Sequence, residues 1–385
     1  MLILLIALWG LIVYHHLVYP LLLNLFAKRH NSSTKRTLPE SLPQICLIIP
    51  AYNEADVIAK KIRNIAALDY PKDRLKLIVA CDGCTDDTAI QARKALQEPG
   101  CQGLNAELIV HQKNKGKVAV LNETISGESE GIIALSDASA LISHDALKQA
   151  ASYFKDARIA VVAATYHIDV PGSDGEAAYW RYQTRVKCGE AAIGSPIGVH
   201  GALYFFRRRT FRPLPADTIN DDFILPMKMV EAGHRAIYAP EIVATELEQA
   251  SLQLDRKRRV RIAAGNFQQL LRSPGLLSPR LKGVAFAFFS GKCLRALMPL
   301  LLLTQLLICC WLAPGSMFFS VILGLQLAGL TMARLSAWLN TEMPFKLNLI
   351  CYLINGYISS FIGVMRYCMG LERGQWKSVS EEIKS

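Results

Sequence analysis

The feature that most constrains this chain is a repeat of short apolar runs that each end in polar or turn-forming residues. QICLIIP (44–50), LKLIVACD (75–82), AELIVH (106–111), GIIALSD (131–137) and IAVVAATYHI (159–168) have strand length, and helical patterns stand between them. Helices are expected from Glu54 to about Ala67, Asp86 to Gln97, Lys117 to about Ser126, and from near Ser143. Apolar strands alternating with helices imply crossover connections, hence an α/β fold with a doubly wound, mostly parallel sheet. Ligands of such sheets sit at the carboxyl ends of the strands. The tips to inspect are Pro50-Ala51-Tyr52-Asn53-Glu54, Asp82-Gly83 and Asp137-Ala138-Ser139.

The two ends of the chain have a different character. Residues 1–27 carry no charged side chain, and Lys28, Arg29, Lys35 and Arg36 follow them. The stretch is long enough to cross a bilayer. A cleavable signal peptide would want a basic start and a small-residue cleavage site. Basic residues after the segment instead predict an anchor in the plasma (inner) membrane, with the following domain cytosolic. Residues 28–43 read as a linker, 44–275 as the α/β domain, and 276–295 as an amphipathic interface segment. Residues 296–370 form a membrane region with apolar stretches at 296–313, 315–333 and 345–365, and 371–385 is a tail. Three spans after a cytosolic domain would leave the C-terminus outside, whereas Arg366, Arg373, Lys377 and Lys384 favour inside. The segments 279–295 and 315–333 are the ambiguous ones.

Net charge is +11, with a dense block at Arg256-Lys257-Arg258-Arg259-Val260-Arg261. Such a block suits a nucleic acid, an anionic lipid or a diphosphate. No aromatic-studded basic motif accompanies it, so nucleic acid is not an expected partner. Of the ten cysteines only Cys81 and Cys84 form C-x-x-C, with no second pair for zinc, and free thiols are expected. After about residue 175 the alternation breaks into a polar helix (175–190), a glycine-rich piece (194–208), and a helix opened by Asp221 and Asp222. Capping accounts for those two carboxylates on its own. Gly127-Glu128-Ser129-Glu130-Gly131 matches G-x-S-x-G but ends a helix and starts a strand, the reverse of a nucleophile elbow. Gly116-Lys117 lacks the rest of a phosphate loop.

Taken together, IIPAYNEADVI, VACDGCTDDT, NKGKVAVLN, LSDAS, NDDF and RRVRI resemble, in order and spacing, a family 2 glycosyltransferase. More narrowly they are similar to its membrane-embedded branch, which includes hyaluronan, chitin and cellulose synthases and ceramide glucosyltransferase. The resemblance covers about residues 44–270 and implies a GT-A (Rossmann-like) fold.

It also implies roles. Pro50, Ala51, Tyr52, Asn53, Glu54, Asp82 and Gly83 would receive the base and ribose of a nucleotide-sugar donor, expected to be a UDP-sugar. Lys117 would reach the base or a phosphate, and Asp137, with Ser139 through a weaker contact, would hold Mg²⁺ or Mn²⁺ on the diphosphate. Hard cations keep oxygen ligands and waters, so one carboxylate plus phosphate oxygens is a workable set. The family's Q-x-x-R-W motif aligns with Arg258-Arg259-Val260-Arg261-Ile262. Arg258 and Arg261 would then add positive charge at the leaving group, with Arg259 as the alternative phosphate ligand, while the tryptophan is replaced by Ile262. Asp222 would be the general base, and His200, Gly201 and Asp221 would lie on the acceptor side.

The expectation is a membrane-bound, inverting, metal-dependent transferase that extends a bacterial-type surface polysaccharide, alone, as a homo-oligomer or with an export partner. Transfer of one sugar to a lipid acceptor is the alternative within the class. A non-catalytic nucleotide- or lipid-binding scaffold is the alternative outside it.

Overall fold

The computed structural model describes residues 2–29, 37–129, 131–169, 174–247, 252–339 and 344–372. Residues 30–36 of the linker and 373–385 of the tail lie outside the described residues. One eight-stranded sheet organises the molecule: β1 (Ile45–Ala51), β2 (Leu75–Asp82), β3 (Asn105–His111), β4 (Ile132–Leu135), β5 (Ala140–Ile142), β6 (Ile159–Ile168), β7 (Tyr204–Arg207) and β8 (Arg235–Glu246). Their spatial order is β3-β2-β1-β4-β7-β6-β8-β5.

β3, β2, β1 and β4 are mutually parallel, as the alternating pattern requires. β1 is buried at every position, and helices cover both faces of this half. The sheet is mixed beyond it. β7 runs antiparallel to β4 and β6, β6 and β8 are parallel, and β5 is antiparallel to β8. This reversal has a consequence for ligand binding. Leu135, the last residue of β4, pairs with Tyr204, the first of β7. The loop leading into β7 therefore arrives at the edge where β1, β2 and β4 end.

Among the described residues, three helices are long and apolar enough to cross a membrane: Leu2–Ala27, Gly283–Gly315 and Met317–Ser336. The first carries a π-helical turn at Tyr14–Val18, and the second another at Phe288–Cys293. These turns meet: Tyr14 Oη lies 2.7 Å from Ser290 Oγ, and His15 Nδ1 2.8 Å from the Ser290 carbonyl. Gly283–Gly315 is continuous, so the piece read from sequence as a separate interface segment runs directly into the next helix. A further helix, Phe345–Cys368, packs on the basic helix Leu252–Arg272, where Gly363 lies so close to the Val260 carbonyl that a methyl group would clash. The basic helix thereby packs on Phe345–Cys368 and on Gly283–Gly315, and it bonds the loop residues Ile219 and Asn220.

Candidate active site

The tips of β1, β2 and β4 fall side by side because the three strands are parallel neighbours. Asn53 follows β1 with φ of 56° and binds the loop after β2, its Oδ1 accepting from Thr85 N at 2.8 Å and its Nδ2 donating to Thr85 Oγ1 at 3.0 Å. The Glu54 amide donates to Thr88 Oγ1 at 2.7 Å. Pro50 to Glu54 are therefore locked onto residues 85–88. Asp82 exposes 0% of its surface, and its two oxygens accept the Lys115 and Gly116 amides, each at 2.8 Å. This geometry makes Asp82 the anchor of the turn that delivers Lys117. Gly83, at φ +62°, passes too close to the Asn114 amide for any side chain.

A narrow crevice lies between the β1 and β4 tips, lined by Pro50, Lys117, Ser136, Asp137, Gly201, Tyr204 and Asp221 among others. Lys117, the first residue of a helix, aims Nζ at Asp137 Oδ1 (3.0 Å) and at Asp221 Oδ2 (3.6 Å). Burial alone would pull the Lys117 ammonium down, but Asp137 and Asp221 more than offset it and raise its pKa. Burial would likewise push Asp137 up, and the Lys117 ammonium, helped by Arg258, overcomes this and holds the carboxyl below its usual range. Asp222 behaves oppositely: burial and the adjacent Asp221 raise it to about 6, against the pull of Lys117 and Lys292.

The loop before β7 is tied across the site. The Val199 amide donates to the Asp222 carbonyl at 3.2 Å, and Ser136 Oγ to the Ala202 carbonyl at 2.6 Å. At Gly201 a Cβ would stand 3.1 Å from Asp137 Oδ2, so glycine leaves that oxygen clear. His200 stacks on Tyr166 with centroids 3.7 Å apart and meets the edge of Trp180 at 5.2 Å. Burial and then the Arg258 charge lower it to about 3, so the ring is neutral. Its Nδ1 accepts the Ala202 amide at 3.2 Å, which leaves the proton on Nε2.

Asn220, Asp221 and Asp222 are positioned by the basic helix. Asn220 Nδ2 donates to the Ile262 carbonyl at 3.3 Å, and Gly265 faces the Asn220 side chain where a Cβ could not fit. Arg258 from this helix is exposed and acts electrostatically on both Asp137 and His200. Arg261 is partly buried, with a buried Nε that has no partner among the described residues. Arg259 turns away and lies over the Tyr352 ring at 4.1 Å.

Two participants escaped sequence reasoning. Lys61 is 0% exposed beneath the β4 tip, where Nζ donates to Ser136 Oγ at 2.6 Å and to the Ala140 carbonyl. Burial pulls it down to about 7 despite Asp137 and Glu246. Its signal was the Ile58, Lys61, Ile62, Ile65 spacing, which places one lysine on an apolar helix face. The other is Tyr204, whose buried hydroxyl in the cleft has no hydrogen-bond partner among the described residues.

These features bear on a divalent cation. Asp137 is 35% exposed at its side chain, has one oxygen left clear by Gly201, and shares a cleft with an orphaned hydroxyl. Among the described residues no group of three or more His, Cys, Asp or Glu side chains could hold a metal alone. The residues fit a cation that takes one carboxylate here and its other oxygens from a bound anion.

The model of the family described as glycosyltransferase like family 2 matches residues 43–265. The poly-β-1,6-N-acetyl-D-glucosamine synthase of Staphylococcus aureus (strain MSSA476) is 26% identical over 242 residues, covering 60% of this chain and 57% of the relative. The chain thus spans little more than half the length of that protein. The β-monoglucosyldiacylglycerol synthase of Synechocystis is 33% identical over 113 residues, 29% of this chain and 23% of that one. A mannosyltransferase from Pyrobaculum calidifontis, solved with GDP-Man and Mn²⁺, superposes with a TM-score of 0.70 at 23% identity, covering 94% of this chain and 99% of the other. That likeness establishes a shared GT-A fold.

Proposed function

The chain belongs to the glycosyltransferase-like family 2 and is a transferase of that class, and from this premise we propose that it moves a sugar from a nucleotide-sugar, of the UDP type, onto a growing polysaccharide at the membrane, with inversion. The observation that carries the proposal is the opposite behaviour of two carboxylates: Asp137, which lines the cleft, and Asp222, the chain neighbour of Asp221, which also lines it and shares Lys117 with Asp137. Asp137 is held ionised by Lys117, while Asp222 is poised at about 6. A carboxylate near 6 accepts a proton well and is mostly free to do so at neutral pH.

In this reading the donor's base and ribose lie over Pro50–Glu54 and Gly83, on the platform that Asn53 and Thr85 lock. Asp82 contributes by fixing the turn before Lys117. Asp137, with Ser139 beside it, would hold Mg²⁺ or Mn²⁺, which would supply Lewis-acid stabilisation of the departing diphosphate. Arg258 and Arg261 add fixed positive charge for the same group. Lys117 keeps Asp137 charged and Asp221 in place. Asp222 takes the proton of the attacking acceptor hydroxyl, and the neutral His200 with Gly201 shapes the acceptor side. The membrane helices put an elongating or lipid-borne acceptor within reach of the cytosolic face.

The relatives include both a polysaccharide synthase and a glycolipid synthase. Incubation of membranes with radiolabelled donor separates the two readings. Polymer-sized label is the expected result, and label found only in extractable glycolipid would replace polymerisation with single transfer.

A further inference from the structure

Where Gly283–Gly315 leaves the catalytic domain, Lys292 and Arg295 stand one turn apart, each partly exposed. Among the described residues neither makes a hydrogen bond or a salt bridge. Lys292 rests over the Phe223 ring, 4.8 Å from its centroid, directly beside Asp222 in sequence. The other cations of the region are paired: Lys117 with Asp137 and Asp221, and Lys187 with Glu190 at 3.2 Å. Glu190 is further occupied by the Tyr19 hydroxyl (3.2 Å) and the Ile197 amide (2.8 Å). Lys187, Lys292 and Arg295 thus face Glu190 and Asp222, an excess of positive charge. Tyr179, Tyr182 and Tyr357 surround Arg295 with phenols, and Glu190, already shared with Lys187, is the one carboxylate acting on it among the described residues. Partly exposed cations that outnumber the nearby carboxylates suit an anionic occupant.

The place also specifies the carrier of that charge. The pair sits at the head of a candidate membrane span, and Phe289, Leu303, Leu307 and Trp311 of the same run are exposed. An occupant that satisfies both surfaces has an anionic head and an apolar tail. We propose that Lys292 and Arg295 seat the headgroup phosphate of an anionic membrane lipid on the acceptor side of the site. Arginine offers a forked donor set and lysine a point charge, a pairing suited to phosphate oxygens. This goes beyond the transfer reading and stands on the cation pair itself.

The test uses the full chain in detergent micelles. Binding of radiolabelled phosphatidylglycerol is measured with phosphatidylcholine, inorganic phosphate and UDP as competitors, and nucleotide release is followed in parallel. Saturable binding resisted by phosphatidylcholine and by inorganic phosphate is expected. Lys292→Gln and Arg295→Gln should each weaken it on the order of tenfold, and Lys292→Arg should largely retain it. Equal binding by the double Gln variant, or displacement by inorganic phosphate at the concentration of the lipid, would overturn the lipid site. Loss of nucleotide release with lipid binding intact would count against the transferase reading and leave the lipid site standing.

Discussion

Asp221→Asn should move the acid limb of the transfer reaction to lower pH. Asp222 stands at about 6, with burial as the largest cause and the Asp221 carboxylate next. An ionised base is required, so the rate of the wild type should fall about tenfold for each unit below that point. At pH 5 roughly a tenth of Asp222 is charged. Neutralising the neighbouring carboxylate removes a like charge and is worth about one unit, or ~1.4 kcal/mol, at the dielectric of a partly buried pair. About half of Asp222 would then be ionised at pH 5, a gain of roughly fivefold relative to each protein's own rate at pH 8. Normalising to pH 8 removes any uniform loss caused by the missing Asp221–Lys117 contact at 3.6 Å. The assay is initial nucleotide release against pH at saturating donor and Mn²⁺. An acid limb that stays put, or shifts upward, would refute the assignment of Asp222 as the titrating base.

Three further outcomes follow from the same geometry. Because burial raises the folded-state pKa of Asp222 from the ordinary aspartate value to about 6, the wild type loses stability as pH rises between about 4 and 6. Asp222→Asn should therefore raise the unfolding free energy at pH 8 but not at pH 4, by less than ~3 kcal/mol since the side chain is partly exposed, read by chemical denaturation; an equal effect at both values would contradict the raised pKa. Lys61→Ala should lower stability by roughly 2–4 kcal/mol in chemical denaturation, since it opens a cavity and strips Ser136 and Ala140 of a buried donor, and an unchanged midpoint would deny Lys61 its role. Mn²⁺ should bind weakly to the empty protein and at least tenfold more tightly with UDP present, measured by calorimetry; tight binding without nucleotide would mean that a second protein carboxylate completes the site.

The parallel half of the fold was legible because each strand is an uninterrupted apolar run closed by a polar tip. β1, β2, β3 and β6 fall within a residue or two of their expected bounds, and the tips of β1 and β4 hold the cleft. The antiparallel half was not. β5 has three residues, β7 lies inside a glycine-rich stretch, and β8 carries Pro240 and charged residues on an exposed side. Their pairing partners lie far away in the chain, so local pattern says little about them. At the site, motif order drew attention to Lys117, Asp137, Gly201 and Asp221, which converge on one cleft. It left out that Asp82 spends both oxygens on backbone amides and that Arg259 turns to Tyr352. Those facts depend on which side of a helix or turn meets which neighbour, and that is fixed only by tertiary packing.

In the proposed transfer Asp222 is the proton acceptor. The most direct measurement is nucleoside diphosphate release and sugar incorporation from radiolabelled UDP-sugars by the purified full chain with Mn²⁺, for wild type and Asp222→Asn. Turnover by the wild type, a loss of about 10²–10⁴-fold in the variant and unchanged donor affinity are expected. Equal turnover by both proteins would contradict the account.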